Sequence, residues 1–124
     1  MLLFFIGLTV NAQTLKTTNG KVYDTVDVMP EYPGGFETMV KFLSSNMIYP
    51  KEAQKKGLEG RSLVSFIVEK DGALSNITVK KSAGKMFDDE AMRVVKKMPK
   101  WKPGRKDGKL VRVHFNLPVQ FSLK

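Results

Sequence analysis

From Val111 to Leu123 the chain alternates without a break. Val111, Val113, Phe115, Leu117, Val119, Phe121 and Leu123 are apolar, with Arg112, His114, Asn116, Pro118, Gln120 and Ser122 between them. Successive side chains of a strand point to opposite faces, so this pattern predicts a long, half-buried strand. Pro118 has no N–H, which disfavours a fully paired central position and predicts an edge. An edge strand offers unpaired backbone donors and acceptors to a partner segment, so the pattern points to a binding module.

The elements ahead of this strand are read the same way. Apolar residues at 36, 39, 40, 43 and 47 make a helical stripe over Phe36–Met47, ending before Tyr49-Pro50 because a residue preceding proline avoids the helical region. Lys51–Lys56 reads as a short helix, with Pro50 near its first turn and Gly57 as a left-handed cap. Leu63–Glu69 reads as a strand with Val64, Phe66 and Val68 inward. Asp71-Gly72 then supplies the positive φ of a hairpin turn, and Leu74–Lys81 returns with Ile77 and Val79 inward.

Asp88 is placed to cap a second long helix, with Asp89 and Glu90 at its positive end, Lys96 and Lys97 at its negative end, and Pro99 stopping it. Its stripe is Phe87, Ala91, Val94, Val95 and Met98, with Phe87 and Met92 set for a hydrophobic staple. Lys102–Lys109 reads as a polar turn. Upstream, Leu15–Asn19 is a polar linker, and Val22–Met29 is either a weak strand or an extended tether. Three strands with one apolar face each need a cover, and amphipathic helices supply it: the fold class is a two-layer α+β domain. Three regions follow: an apolar segment at 1–12, an extended linker or weak strand at 13–33, and a domain at 34–124.

A length of 124 residues leaves room for one such domain. With no cysteine and one histidine, disulfides and thiol chemistry are excluded, and neither a metal site nor a cofactor is expected. The net charge of +9 lies entirely in residues 61–124, which carry fifteen Lys and Arg against six acids. Arg93, Lys96, Lys97, Lys100, Lys102, Arg105, Lys106 and Lys109 form a basic run that reads either as a patch for a polyanion or as a solvated face.

Leu2–Val10 is apolar and uncharged but shorter than the roughly 20 residues that span a membrane. It reads as the core of an export signal cleaved after Ala12, or else as a buried strand. Export removes nucleic acid from the candidate polyanions and leaves anionic lipid headgroups or an anionic envelope polymer. No nucleophile–base pair accompanies His114, and the acids 88–90 are explained by the helix dipole, so an enzyme is not expected. Trp101 is read as a core anchor or as a platform for a sugar ring.

The segments YPKEAQKKGLEGRSLVSFIVEKDGALSNITVKKSAG, FDDEAMRVVKKMPKWKPG and VRVHFNLPVQFSL together resemble the TonB C-terminal domain family. The resemblance covers Tyr49–Leu123, and the lead-in MPEYPGGFETMVKFL resembles stand-alone members with one more helix. It implies a three-stranded antiparallel sheet covered on one face by two helices, with an extra N-terminal helix and room for an extra edge strand. It also implies β-strand addition of the "box" peptide of TonB-dependent outer-membrane transporters along the last strand. By this resemblance Arg112, Val113, His114, Phe115, Asn116 and Leu117 form the recognition edge, and Gln54 lies near the bound peptide. TonB energy transducers carry a membrane anchor and a long linker. Contact with an inner-membrane proton-channel complex is therefore expected through an anchor encoded upstream of Met1, or through another protein.

Overall fold

The computed structural model describes residues 20–124, so the export-signal and Leu15–Asn19 linker readings lie outside the described residues. The elements are β1 (Val22–Tyr23), α1 (Phe36–Asn46), α2 (Lys51–Lys55), β2 (Gly60–Val68), β3 (Leu74–Lys81), α3 (Lys85–Lys96), β4 (Gly104–Lys106) and β5 (Lys109–Phe121). The sheet runs β1-β5-β2-β3, and β4 pairs with the start of β5. The α+β expectation holds: β3, β2 and β5 are the antiparallel sheet, and the helices cover its apolar face.

Alternation decides that face. In β5, Val113, Leu117, Val119 and Phe121 are buried and Phe115 half-buried, whereas His114, Asn116, Pro118 and Gln120 are exposed. In β2, Val64, Phe66 and Val68 are fully buried. Two aromatic groups fill the layer between sheet and helices. Trp101 meets Phe66, Phe115 and Tyr32 edge-on at centroid distances of 5.3, 4.9 and 5.9 Å. Phe87 packs on Phe121 at 4.7 Å, with Tyr49 edge-on to both. Trp101 is thus a core anchor, 3% exposed, and not a surface platform.

Three boundaries differ from the sequence reading. Helix α3 begins at Lys85 with Gly84 as its cap residue, so Asp88 sits inside the first turn and does not cap from outside. Its carboxylate reaches back to the preceding strands and loop, accepting from Ala83 N at 2.9 Å, from Ser62 Oγ at 2.7 Å and from Ser82 Oγ. Phe87 is likewise helical, which removes the staple, and Met98 lies beyond the helix end. Strand β2 starts at Gly60, three residues early, because β5 is long enough to pair with it back to Phe121. The polar turn is itself a hairpin: β4 pairs with Lys109–Val111, and Asp107 and Gly108 close it with φ of 52° and 79°. Two consecutive positive φ values are what a two-residue turn between twisted strands requires.

Candidate functional site: the open edge of β5

One side of β5 is completely paired. From Val113 to Phe121 it runs antiparallel to Val68–Gly60 with no register shift. The other side changes character along its length. Lys109–Val111 pair with β4, and Arg112 and Val113 pair in parallel with Val22 and Tyr23. Among the described residues, nothing pairs with that side from His114 to Phe121.

Pro118 shows which amides face the gap. A proline sits in a regular ladder without loss only where its nitrogen points away from the partner strand. Strand groups repeat every two residues, so the amides of His114, Asn116 and Gln120 share the direction of the Pro118 nitrogen, toward the open side. Those of Val113, Phe115, Leu117 and Val119 point to β2. The sequence reading took the whole of Arg112–Leu117 as the recognition edge. That is corrected at Arg112 and Val113, whose backbone already has a strand partner.

That partner is held firmly. Arg112 makes two hydrogen bonds to the Glu69 carboxylate, at 2.7 and 3.1 Å, and donates a third to the Gly20 carbonyl at 3.0 Å. The Arg112 hydrogen bonds hold the Glu69 carboxyl below its ordinary value, and Glu69 in turn raises Arg112. His114 Nδ1 lies 3.3 Å from Asp24 Oδ1. Asp27 accepts from Asp107 N at 2.8 Å, and Val28 and Glu31 exchange paired backbone hydrogen bonds with Arg105 and Lys102. Segment 20–31 therefore runs as a strap across the start of β5 and the β4 hairpin. The weak-strand reading of Val22–Met29 holds for two residues, and tertiary contacts fix the rest.

On the polar face of the open edge, His114 and Asn116 border a shallow depression with Asp24, Ser65, Thr78 and Lys80. On the apolar side, β5 and α1 flank a groove of about 530 Å³. Gln54 is exposed on α2 and does not line this groove. The basic run is divided among local duties. Arg93 is bound to Glu90 at 2.6 Å and to the Asn46 carbonyl at 2.7 Å, Arg105 donates to the Gly108 carbonyl, Lys106 lies over the Tyr23 ring, and Lys100 faces Asp71. Lys96, Lys97, Lys102 and Lys109 are exposed.

Fold and edge together define a small α+β domain whose longest strand is sealed on one side and open along most of the other. The C-terminal family of the Gram-negative bacterial TonB protein matches residues 45–123, and the chain belongs to that family. Protein TonB of Helicobacter pylori is 31% identical over 111 residues, covering 88% of this chain and 38% of its own length. Protein TonB of Pseudomonas aeruginosa is 40% identical over 67 residues, covering 52% of this chain and 19% of its own. The chain thus spans well under half the length of these relatives. The solution structure of the H. pylori TonB C-terminal domain (residues 194–285) superposes with a TM-score of 0.56 at 32% identity, covering 71% of this chain and 92% of that one. A longer form (residues 179–285) superposes at 0.53.

Proposed function

We propose that this domain is the peptide-accepting end of a TonB-type energy transducer in the Gram-negative envelope. It takes up the box segment of an outer-membrane transporter by adding it as a strand to β5 between His114 and Phe121. The observation that carries this reading is the asymmetry of β5, paired along one side and open along the other, with three amides aimed outward by the phase of Pro118. Backbone pairing supplies the affinity of strand addition, and the side chains of alternate residues set specificity. His114 and Asn116, exposed on the polar face beside the open backbone, are the side chains placed to touch the added strand there.

The test is Asn116→Pro. Asn116 N–H points away from β2, so its loss leaves the β2–β5 ladder whole. It removes a donor from the added strand and puts a pyrrolidine ring in its way. A net hydrogen bond is worth about 1 kcal/mol, so box-peptide affinity should fall at least about fivefold while the melting temperature stays near that of the parent. Phe115→Pro is the contrast: it deletes a donor toward β2 and should destabilise the fold. Unchanged peptide affinity in a folded Asn116→Pro protein would refute strand addition at this edge.

A further inference from the structure

The groove between α1 and β5 has walls that locate it. Leu117 and Phe121 belong to the core face of β5, whereas Pro118 and Gln120 belong to the opposite face, and all four line one depression together with Ser122, which follows the strand. Residues from both faces of a strand border a single space only at the strand's edge, so the groove opens along the unpaired backbone itself. Its far wall is α1, which contributes from Phe36 to Met47, its whole length. At ~1.5 Å per helical residue and ~3.3 Å per strand residue, α1 and the segment Leu117–Ser122 each run about 16 Å. The two walls of the groove are thus matched in length.

The wall is apolar and open. Phe36 is 72% exposed and Val40 42%, and Met39 is the buried residue of the helix. Among the described residues, no charged one lines the groove in a protein of net charge +9. A strand added to β5 sends every second side chain toward the core side, into this space. Those side chains recur every ~6.6 Å, close to the ~6 Å step between helix residues four apart. The step from Phe36 to Val40 to Ser44, and that from Met39 to Leu43 to Met47, thus keeps pace with an extended peptide.

We infer that α1 is a reading wall for the added strand, selecting a segment with uncharged, apolar side chains at alternate positions along the half that pairs with Leu117–Phe121. This rests on the strand-addition reading and gives it a side-chain specificity.

Two nonapeptides of one length and end charge test it by fluorescence anisotropy: alternating Thr and Val, and the same peptide with Ser replacing every Val. The alternating Val peptide should bind at least about tenfold more tightly, since each methylene in an apolar pocket is worth up to that order. Val40→Glu and Phe36→Glu, both at exposed positions, should shrink that preference below about threefold. Equal binding of the two peptides to the unaltered protein would overturn the reading wall, whatever the variants do. Two further peptides, the Val form N-methylated at alternate amides in one phase and in the other, separate the two claims. If methylation abolishes binding while Val and Ser peptides bind alike, strand addition stands and the groove reading falls. If methylated and unmethylated Val peptides bind alike, strand addition falls and the inference falls with it.

Discussion

Tyr23 lies beside Val113 as its parallel strand partner, with Val68 on the other side of the same residue. At that one point the chain has added a strand to its own β5. The strap that supplies it ends the open edge at His114, so a peptide pairing beyond that point toward Arg112 must displace Val22 and Tyr23. Two paired residues are a short strand, but they compete intramolecularly, at an effective concentration on the order of millimolar. Deleting residues 14–29 should therefore raise the affinity of peptides long enough to reach Arg112, by up to roughly tenfold, and leave short peptides unaffected. Titration of both lengths, with sedimentation to detect dimers formed through the bared edge, checks this. Equal affinities and an unchanged monomer would make the strap a tether only.

Acid should weaken the domain through three carboxylates. Arg112 hydrogen bonds lower Glu69. Burial opposes ionisation of Asp88 and Glu90, but donors overcome it: Ser82, Ala83 N and Ser62 at Asp88, Arg93 and Ile48 N at Glu90, so both are also lowered. A carboxyl with a folded value below its unfolded one stabilises the fold above the unfolded value of about 4 and loses that contribution as pH falls through the folded value. The urea midpoint should hold from pH 7 to about 5 and drop below pH 4. Asp88→Asn should be less stable than the parent at pH 7, with the gap narrowing toward pH 3. A constant gap across that range would remove Asp88 from the account.

The parts of this fold visible in the sequence are those set by a repeating face. The alternation of β5, the inward set of β2 and the stripe of α3 all follow from a period of 2 or 3.6 meeting one apolar layer, and the Asp71-Gly72 turn follows from its need for a positive φ. The start of α3 was hidden because an acid that caps a helix from outside and an acid that reaches back from its first turn leave the same trace at Asp88. Strap residues Val22 and Tyr23 carry almost no local signal, since their strand exists only through Arg112, Asp107 and the edge of β5. The α1 groove was hidden for a related reason. Phe36 and Val40 read as core because they complete a stripe, and only the position of the β5 edge decides that part of the stripe faces an opening. Arg93 counted toward a basic patch until Glu90, three residues away on one helix face, was seen to hold it.

Phe66 tests the core face. It is fully buried, 5.3 Å from Trp101 and stacked on Phe115 at 5.7 Å. Phe66→Ala should cost about 3–5 kcal/mol, a large part of the 5–15 kcal/mol typical of a domain. A denaturation midpoint shifted only slightly would mean that the neighbouring aromatic rings collapse into the space.

The last prediction concerns the tie between the first hairpin and Trp101. Gly72 closes the β2–β3 turn with φ of 90°, and its carbonyl accepts a hydrogen bond from Trp101 N at 2.9 Å. A Cβ there would fall 2.1 Å from the Trp101 carbonyl oxygen, a backbone atom that cannot rotate away. Gly57 is the control, for it has φ of 67° and, among the described residues, nothing lies within 4 Å of where its Cβ would fall. Both Gly→Ala changes carry the strain of a left-handed backbone, about 1–2 kcal/mol, but only Gly72→Ala adds the collision. Gly72→Ala should therefore be destabilised by at least about 2 kcal/mol more than Gly57→Ala, in the range of a core overpacking. It should also change the emission of Trp101, the only tryptophan in the chain. Equal costs for the two variants, with native emission in both, would show that the turn moves off Trp101 freely and does not hold it.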